Sequence, residues 1–169
     1  MSASFQFYQT NGAAPGADTA QGTGTGSNDW DFKSADAAGP ASAGEEIIAG
    51  DFSYHIYVKA KFGGSFTSIT NVLYYASDVN LSGAGVGAYV LASGIEVGSY
   101  STPSNSSMSG TWDTVPIVST SGVDASTAAL AGGATGFTDY VGLQLKTTTS
   151  GALAGLSSYT SFTLVYDEV

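Results

Sequence analysis

The sequence predicts an all-β domain, an antiparallel β-sandwich of jelly-roll-like type with long Gly-, Ser- and Thr-rich loops. Three observations carry this. Residues 52–62 alternate apolar and polar side chains with few breaks, the period-two pattern of a strand with one buried face. The same alternation returns in 140–148 and 159–166. Between these runs lie clusters of Gly, Ser, Asn and Pro, the residues of turns, while helix signals are scarce.

Taken in order, Ser4-Phe-Gln-Phe-Tyr-Gln9 reads as a first short strand. Residues 10–29 follow as a low-complexity polar loop, long enough to suggest either surface mobility or an arm that orders against a neighbouring subunit. In 52–62, Phe52, Tyr54, Ile56, Val58, Ala60 and Phe62 share one face, and Ser53, His55, Tyr57, Lys59 and Lys61 share the other. Gly63-Gly64 then reads as a turn into a second run, Phe66 to Ala76, so that the two form a hairpin. Weaker strands are expected at 86–92 and 112–119, the latter interrupted by Pro116. Residues 99–111 form a second long loop. A turn or two of helix is expected from Asp124 to Ala131, capped by Asp124 and ended by Gly132. In 140–148, Val141, Leu143 and Leu145 oppose Gln144 and Lys146; in 159–166, Thr160, Phe162, Leu164 and Tyr166 oppose Ser161, Thr163 and Val165.

With 169 residues, one sandwich spanning 1–169 is expected. Four lysines and no arginine stand against fourteen acids, a net charge of −10. That balance argues against nucleic acid as a partner, because phosphate neutralisation needs clustered cations. No run is apolar enough to span a membrane, and Met1-Ser-Ala-Ser-Phe5 lacks the features of a secretory signal. Absence of Cys removes disulfides, thiolate metal sites and cysteine nucleophiles.

Enzymatic chemistry finds little to work with, and a non-enzymatic chain is expected, with no cofactor. A Ser-His-Asp site would have to use His55, which lies mid-strand beside lysines, and no Gly-x-Ser-x-Gly elbow occurs. Glu45 and Glu46 are adjacent, Glu96 and Glu168 isolated, and none forms the carboxylate pair of a glycosidase. Asp29 and Asp31 are weak calcium candidates, since they would need carbonyls or another acid to fill the shell. Turn formation explains them equally well.

The cations are unevenly placed. His55, Tyr57, Lys59 and Lys61 form one stripe on the polar face of a strand. Two readings stay open: lysines guarding an exposed sheet edge, or an interface that meets carboxylates on a partner with Tyr57 as anchor.

Three segments resemble the small virion proteins of tailed bacteriophages and related archaeal viruses: Phe5-Gln-Phe-Tyr8, the stretch from Tyr57 through Gly63-Gly64 to Tyr75, and Leu143-Gln-Leu-Lys-Thr-Thr-Thr149 with Phe162-Thr-Leu-Val-Tyr-Asp-Glu168. The resemblance covers the first, central and final strands and leaves 77–137 aside. It implies a capsid decoration or other particle-associated subunit, homo-oligomeric with a trimer as one candidate. Its partner would be the major capsid protein or another virion subunit, and assembly would take place in the host cytoplasm. A carbohydrate-binding or adhesin-type module is the alternative, with Trp30 and Trp112 as the stacking candidates.

Overall fold

A computed structural model describes residues 2–21, 31–76, 86–91, 100–106, 113–114, 119–126, 130–131, 136–147 and 162–169. The elements are β1 (Ser2–Asn11), β2 (Ala17–Ala20), β3 (Ile56–Ser65), β4 (Ser68–Ala76), β5 (Val86–Leu91), β6 (Asp113–Thr114), β7 (Val123–Asp124), β8 (Leu130–Ala131), β9 (Val141–Thr147) and β10 (Phe162–Glu168), with one 3₁₀ turn at Ser119–Ser121. Among the described residues all pairings are antiparallel. One sheet runs β2-β1-β3-β9-β5-β6; the other runs β10-β4-β7, with β8 also paired to β4. The all-β class therefore holds.

The two sheets share one core. From the larger sheet come Ile56, Val58, Ala60 and Phe62 of β3 and Val141 and Leu143 of β9; from the smaller come Ile69, Val72, Tyr74, Val123 and Leu164. Aromatic contacts cross between the layers: Phe7 meets Tyr74 at 5.8 Å and Phe62 meets Tyr166 at 4.9 Å between ring centroids. Thr138 adds a polar tie, donating or accepting at the Tyr74 hydroxyl (3.0 Å) and accepting from the Ala60 amide (2.9 Å).

The hairpin expected at Gly63-Gly64 does not form. β3 pairs with β1 and β9, and β4 pairs with β10, β7 and β8, so the chain changes sheets between Ser65 and Ser68. Gly63 and Gly64 lie within β3, opposite Ser4 and Ala3, and Phe66 turns into the core. Stacking the apolar face of β3 over that of β4 buries both; a flat hairpin would leave them side by side awaiting another layer.

Further differences are local. β1 and β2 form a hairpin over Tyr8–Ala20, so the first part of the 10–29 loop is strand, joined by a turn containing Gly12 and Gly16 at positive φ. The helix expected from Asp124 to Ala131 gives way to strand at both described ends: β7 ends at Asp124, whose Oδ1 accepts the Ser126 amide at 2.9 Å, and Leu130 and Ala131 pair with β4, while 127–129 lie outside the described residues. Asp124 does cap a turn, but one that follows a strand. Asn71 at φ 50° marks a bulge opposite the Val165/Asp167 shift, and the inward set of β4 moves from Ile69 to Val72 and Tyr74 across it.

Candidate functional site

Register fixes what the larger sheet presents on its second face. Tyr8 lies opposite Lys59, Thr10 opposite both Tyr57 and Asp18, and Gln6 opposite Lys61. Cross-strand partners share a face, so Asp18, Thr10, Tyr57, Tyr8, Lys59 and Lys61 stand together. Both edges of β3 are occupied: β1 lies along one, and along the other β9 is continued by the Thr138 amide to Ala60 carbonyl and Phe62 amide to Gly136 carbonyl bonds. The edge-protection reading is thereby overturned. His55, Tyr57 and Lys59 are buried, Lys59 to 8% exposure, and Lys61 alone of the four is only half-buried.

The cover is the chain itself. Residues 100–106, part of the long loop expected at 99–111, pack across this face. Tyr100 donates its hydroxyl to the Gly12 carbonyl (2.5 Å), the Ala14 amide donates to Thr102 Oγ1 (3.1 Å), and Tyr57 shares a 2.6 Å hydrogen bond with Ser101. The His55 amide donates to the Ser104 carbonyl at 3.1 Å. Gly16 must be glycine here: its φ is +73°, and a Cβ would stand 2.7 Å from the Tyr100 ring and from Thr10 Cγ2.

Lys59 is the centre of this second layer. Its ammonium lies 2.9 Å from Asp18 Oδ2, donates to the Tyr140 hydroxyl at 2.9 Å, and sits 4.2 Å and 4.6 Å from the ring centroids of Phe137 and Tyr140. Asp18 accepts from Thr10 Oγ1 at 2.6 Å through its other oxygen. Burial opposes both charges, but the partners outweigh it. The Thr10 hydroxyl and Lys59 hold the Asp18 carboxyl below its ordinary 3.8, while Tyr140 and Asp18 hold the Lys59 ammonium above 10.5. Tyr57, Tyr100 and Tyr140 form an edge-packed trio beside it, with centroid separations of 5.0, 5.6 and 6.2 Å. Burial, followed by the charge of Asp36, pushes the Tyr100 hydroxyl pKa well up.

His55 sits at the other end of the stripe. Its Nε2 donates to the Ser106 carbonyl at 3.0 Å, which also accepts Gln144 Nε2 at 2.9 Å. Burial lowers the His55 pKa, opposed by the Ser106 bond. The His55 Nδ1 and Gln144 Oε1 atoms are buried without a hydrogen-bond partner. The neutral ring is therefore favoured, with its proton on Nε2 because a carbonyl can only accept.

The remaining cations divide in two. Lys33 is buried and internal, donating to the carbonyls of Gly39 and Pro40 and lying 3.6 Å from Glu45. Lys61 and Lys146 lie nearer the surface, 5.5 Å and 5.0 Å from the rings of Phe137 and Phe52. Asp31 acts as a turn residue, its Oδ2 accepting the Ala41 amide at 2.8 Å. Among the described residues no three His, Asp or Glu side chains gather as metal ligands would. Asp29, Trp30 and Trp112 lie outside the described residues.

What the stripe can do chemically is hold charge and hydrogen bonds under a cover: among the described residues the Lys59 ammonium and the His55 imidazole are both enclosed, while Lys61 lies nearer the surface. Sequence reasoning named Tyr57 and Lys59 but missed Asp18 on β2 and Tyr100, Phe137 and Tyr140 outside the long strands, all distant from β3 in sequence. No local signal marks the second face as buried: its strand residues are polar in the sequence, yet Tyr57 and Gln144 are enclosed in the fold. The chain matches no family model, and it has no significant similarity to a curated protein or a solved structure.

Proposed function

We propose that the chain is a non-enzymatic structural subunit of a virus particle, a capsid decoration or cementing protein that docks on the shell. One observation carries the reading: the side chains best suited to chemistry, His55, Lys59, Asp18 and the tyrosine trio, are spent in fastening the chain's own loops over the larger sheet. Such a body is a rigid scaffold, and its work passes to the surface. The surface is acidic, since two of the four lysines are enclosed. That suits a partner that offers basic groups and disfavours nucleic acid. The resemblance of the first, central and final strands to small virion proteins points the same way. On this reading the subunit is assembled in the host cytoplasm and ends in the virion.

Mass spectrometry of purified particles, with image reconstruction before and after the subunit is stripped, tests the reading. Stoichiometric presence and a density that fits the sandwich support it. Absence from purified particles refutes it.

A further inference from the structure

Outside the sealed layer, the loop before β3 stands apart. Ile48 is 72% exposed, yet the backbone around it is firmly held. Its carbonyl accepts the Asp51 amide at 2.9 Å and Thr147 Oγ1 at 2.8 Å, and Thr147 Oγ1 accepts the Gly50 amide at 2.9 Å. Upstream, Lys33 and Glu45 pin residues 39–45. The neighbouring backbone amides of Glu46 and Gly44 hold the exposed Glu46 carboxyl below 4.5. An isoleucine flanked by Glu46 and Asp51 is thus presented with its ordering entropy already spent.

An open surface lies toward the far end of β3. Ser4, Gln6, Lys61 and Gly63 line an open depression of about 250 Å³. Beside it stands Phe137, 38% exposed, bridged to Lys61 and packed edge-on against Tyr8 at 5.4 Å. Gly63 leaves the floor open, since a Cβ there would meet only Ser4 Oγ, at 3.8 Å. Lys61 supplies the positive charge that the acidic loop lacks.

We propose that the Ile48 loop of one copy docks into the Lys61–Phe137 depression of a second copy, joining subunits head to tail. The inference rests on the structural-subunit reading and names a second copy as one of its partners. A chain cannot satisfy its own depression. Ser53 and Lys61 are eight residues apart on extended backbone, about 26 Å at roughly 3.3 Å per residue, and Ile48 is tied beyond Ser53, at Thr147. Ile48 fills the depression against Phe137, while Asp51 and Glu46 meet Lys61. The two patches differ, so the contact is heterologous, and repetition closes a ring if the rotation permits.

Light scattering on the purified chain over a dilution series tests this independently of any particle. The wild type self-associates. Ile48→Ser weakens association roughly ten- to hundredfold, the value of one buried isoleucine side chain. Asp51→Lys and Lys61→Asp each weaken it, and the doubly exchanged chain recovers it. Far-ultraviolet circular dichroism confirms that each variant is folded. A wild type that stays monomeric at every concentration overturns the proposal, as does an Ile48→Ser chain that associates normally or a double exchange without recovery. A chain that is present on particles yet fails these tests keeps the virion reading and loses only the head-to-tail contact.

Discussion

Replacing Lys59 with Met separates an internal tie from a surface charge. The substitution keeps the length of the side chain and removes the ammonium, and with it the bonds to Asp18 and Tyr140 and the cation–π contacts with Phe137 and Tyr140. Removing one partner of a buried pair costs about 3–5 kcal/mol when the other is left enclosed. The Asp18 side chain retains 32% exposure and the Thr10 bond, so it partly rehydrates. The expected loss is therefore lower, about 2–3 kcal/mol. In a domain of this size that is a fall in Tm of about 4–12 °C. Lys61→Met, on the same face two residues on, should stay within about 0.5 kcal/mol. Asp18 is held below 3.8 and Lys59 above 10.5, so the pair's contribution is fully present between those pH values. It is lost as pH falls through the folded Asp18 pKa or rises through the folded Lys59 pKa. Urea denaturation of both variants at neutral pH and near pH 3 reads the difference. Equal, small losses for Lys59→Met and Lys61→Met would refute the internal tie.

Other expectations follow from single residues. The lowered His55 pKa means the unfolded chain binds the proton more readily, so acidification below 6.5 removes stability until the folded pKa is passed. A His55→Gln chain should lack that component in urea titrations between pH 7.5 and 5.5; an identical pH profile would count against a buried neutral ring. Gly16→Ala forces a Cβ against Tyr100 at an unfavourable φ and should cost about 2 kcal/mol or more by thermal denaturation. Asn71→Ala should cost about 1–2 kcal/mol at φ 50°, with the Asp167 bond lost as well, whereas Asn71→Gly should lose less. Leu143→Ala, fully buried at the centre of the shared core, should cost about 2–5 kcal/mol.

Strand positions were legible where one face alone decides the pattern. Ile56, Val58, Ala60 and Phe62, with Val141 and Leu143, alternate because they meet the opposite sheet, and that signal is local. In β10, Phe162, Leu164 and Tyr166 likewise face inward as their spacing predicts. β4 was less legible, because the Asn71 bulge shifts the phase midway. Pairing was harder still. Gly63-Gly64 carries a turn signal, but whether the next strand folds back beside β3 or over it depends on long-range burial that no window contains. The stripe misled for a similar reason. His55, Tyr57 and Lys59 are polar, and polarity reads as exposure unless partners are known. Those partners, Asp18 on β2, Tyr100 beyond β5 and Tyr140 before β9, converge only in the fold.

The division of the four lysines is open to direct measurement. Brief acylation of the native chain, read by peptide mass spectrometry, should modify Lys61 and Lys146 readily. Lys33 and Lys59 should stay protected until denaturant is added, because each ammonium is enclosed and bonded. Native-state labelling of Lys59 at the rate of Lys61 would contradict the sealed second face, and with it the view that the stripe fastens the fold and leaves docking to the outer surface.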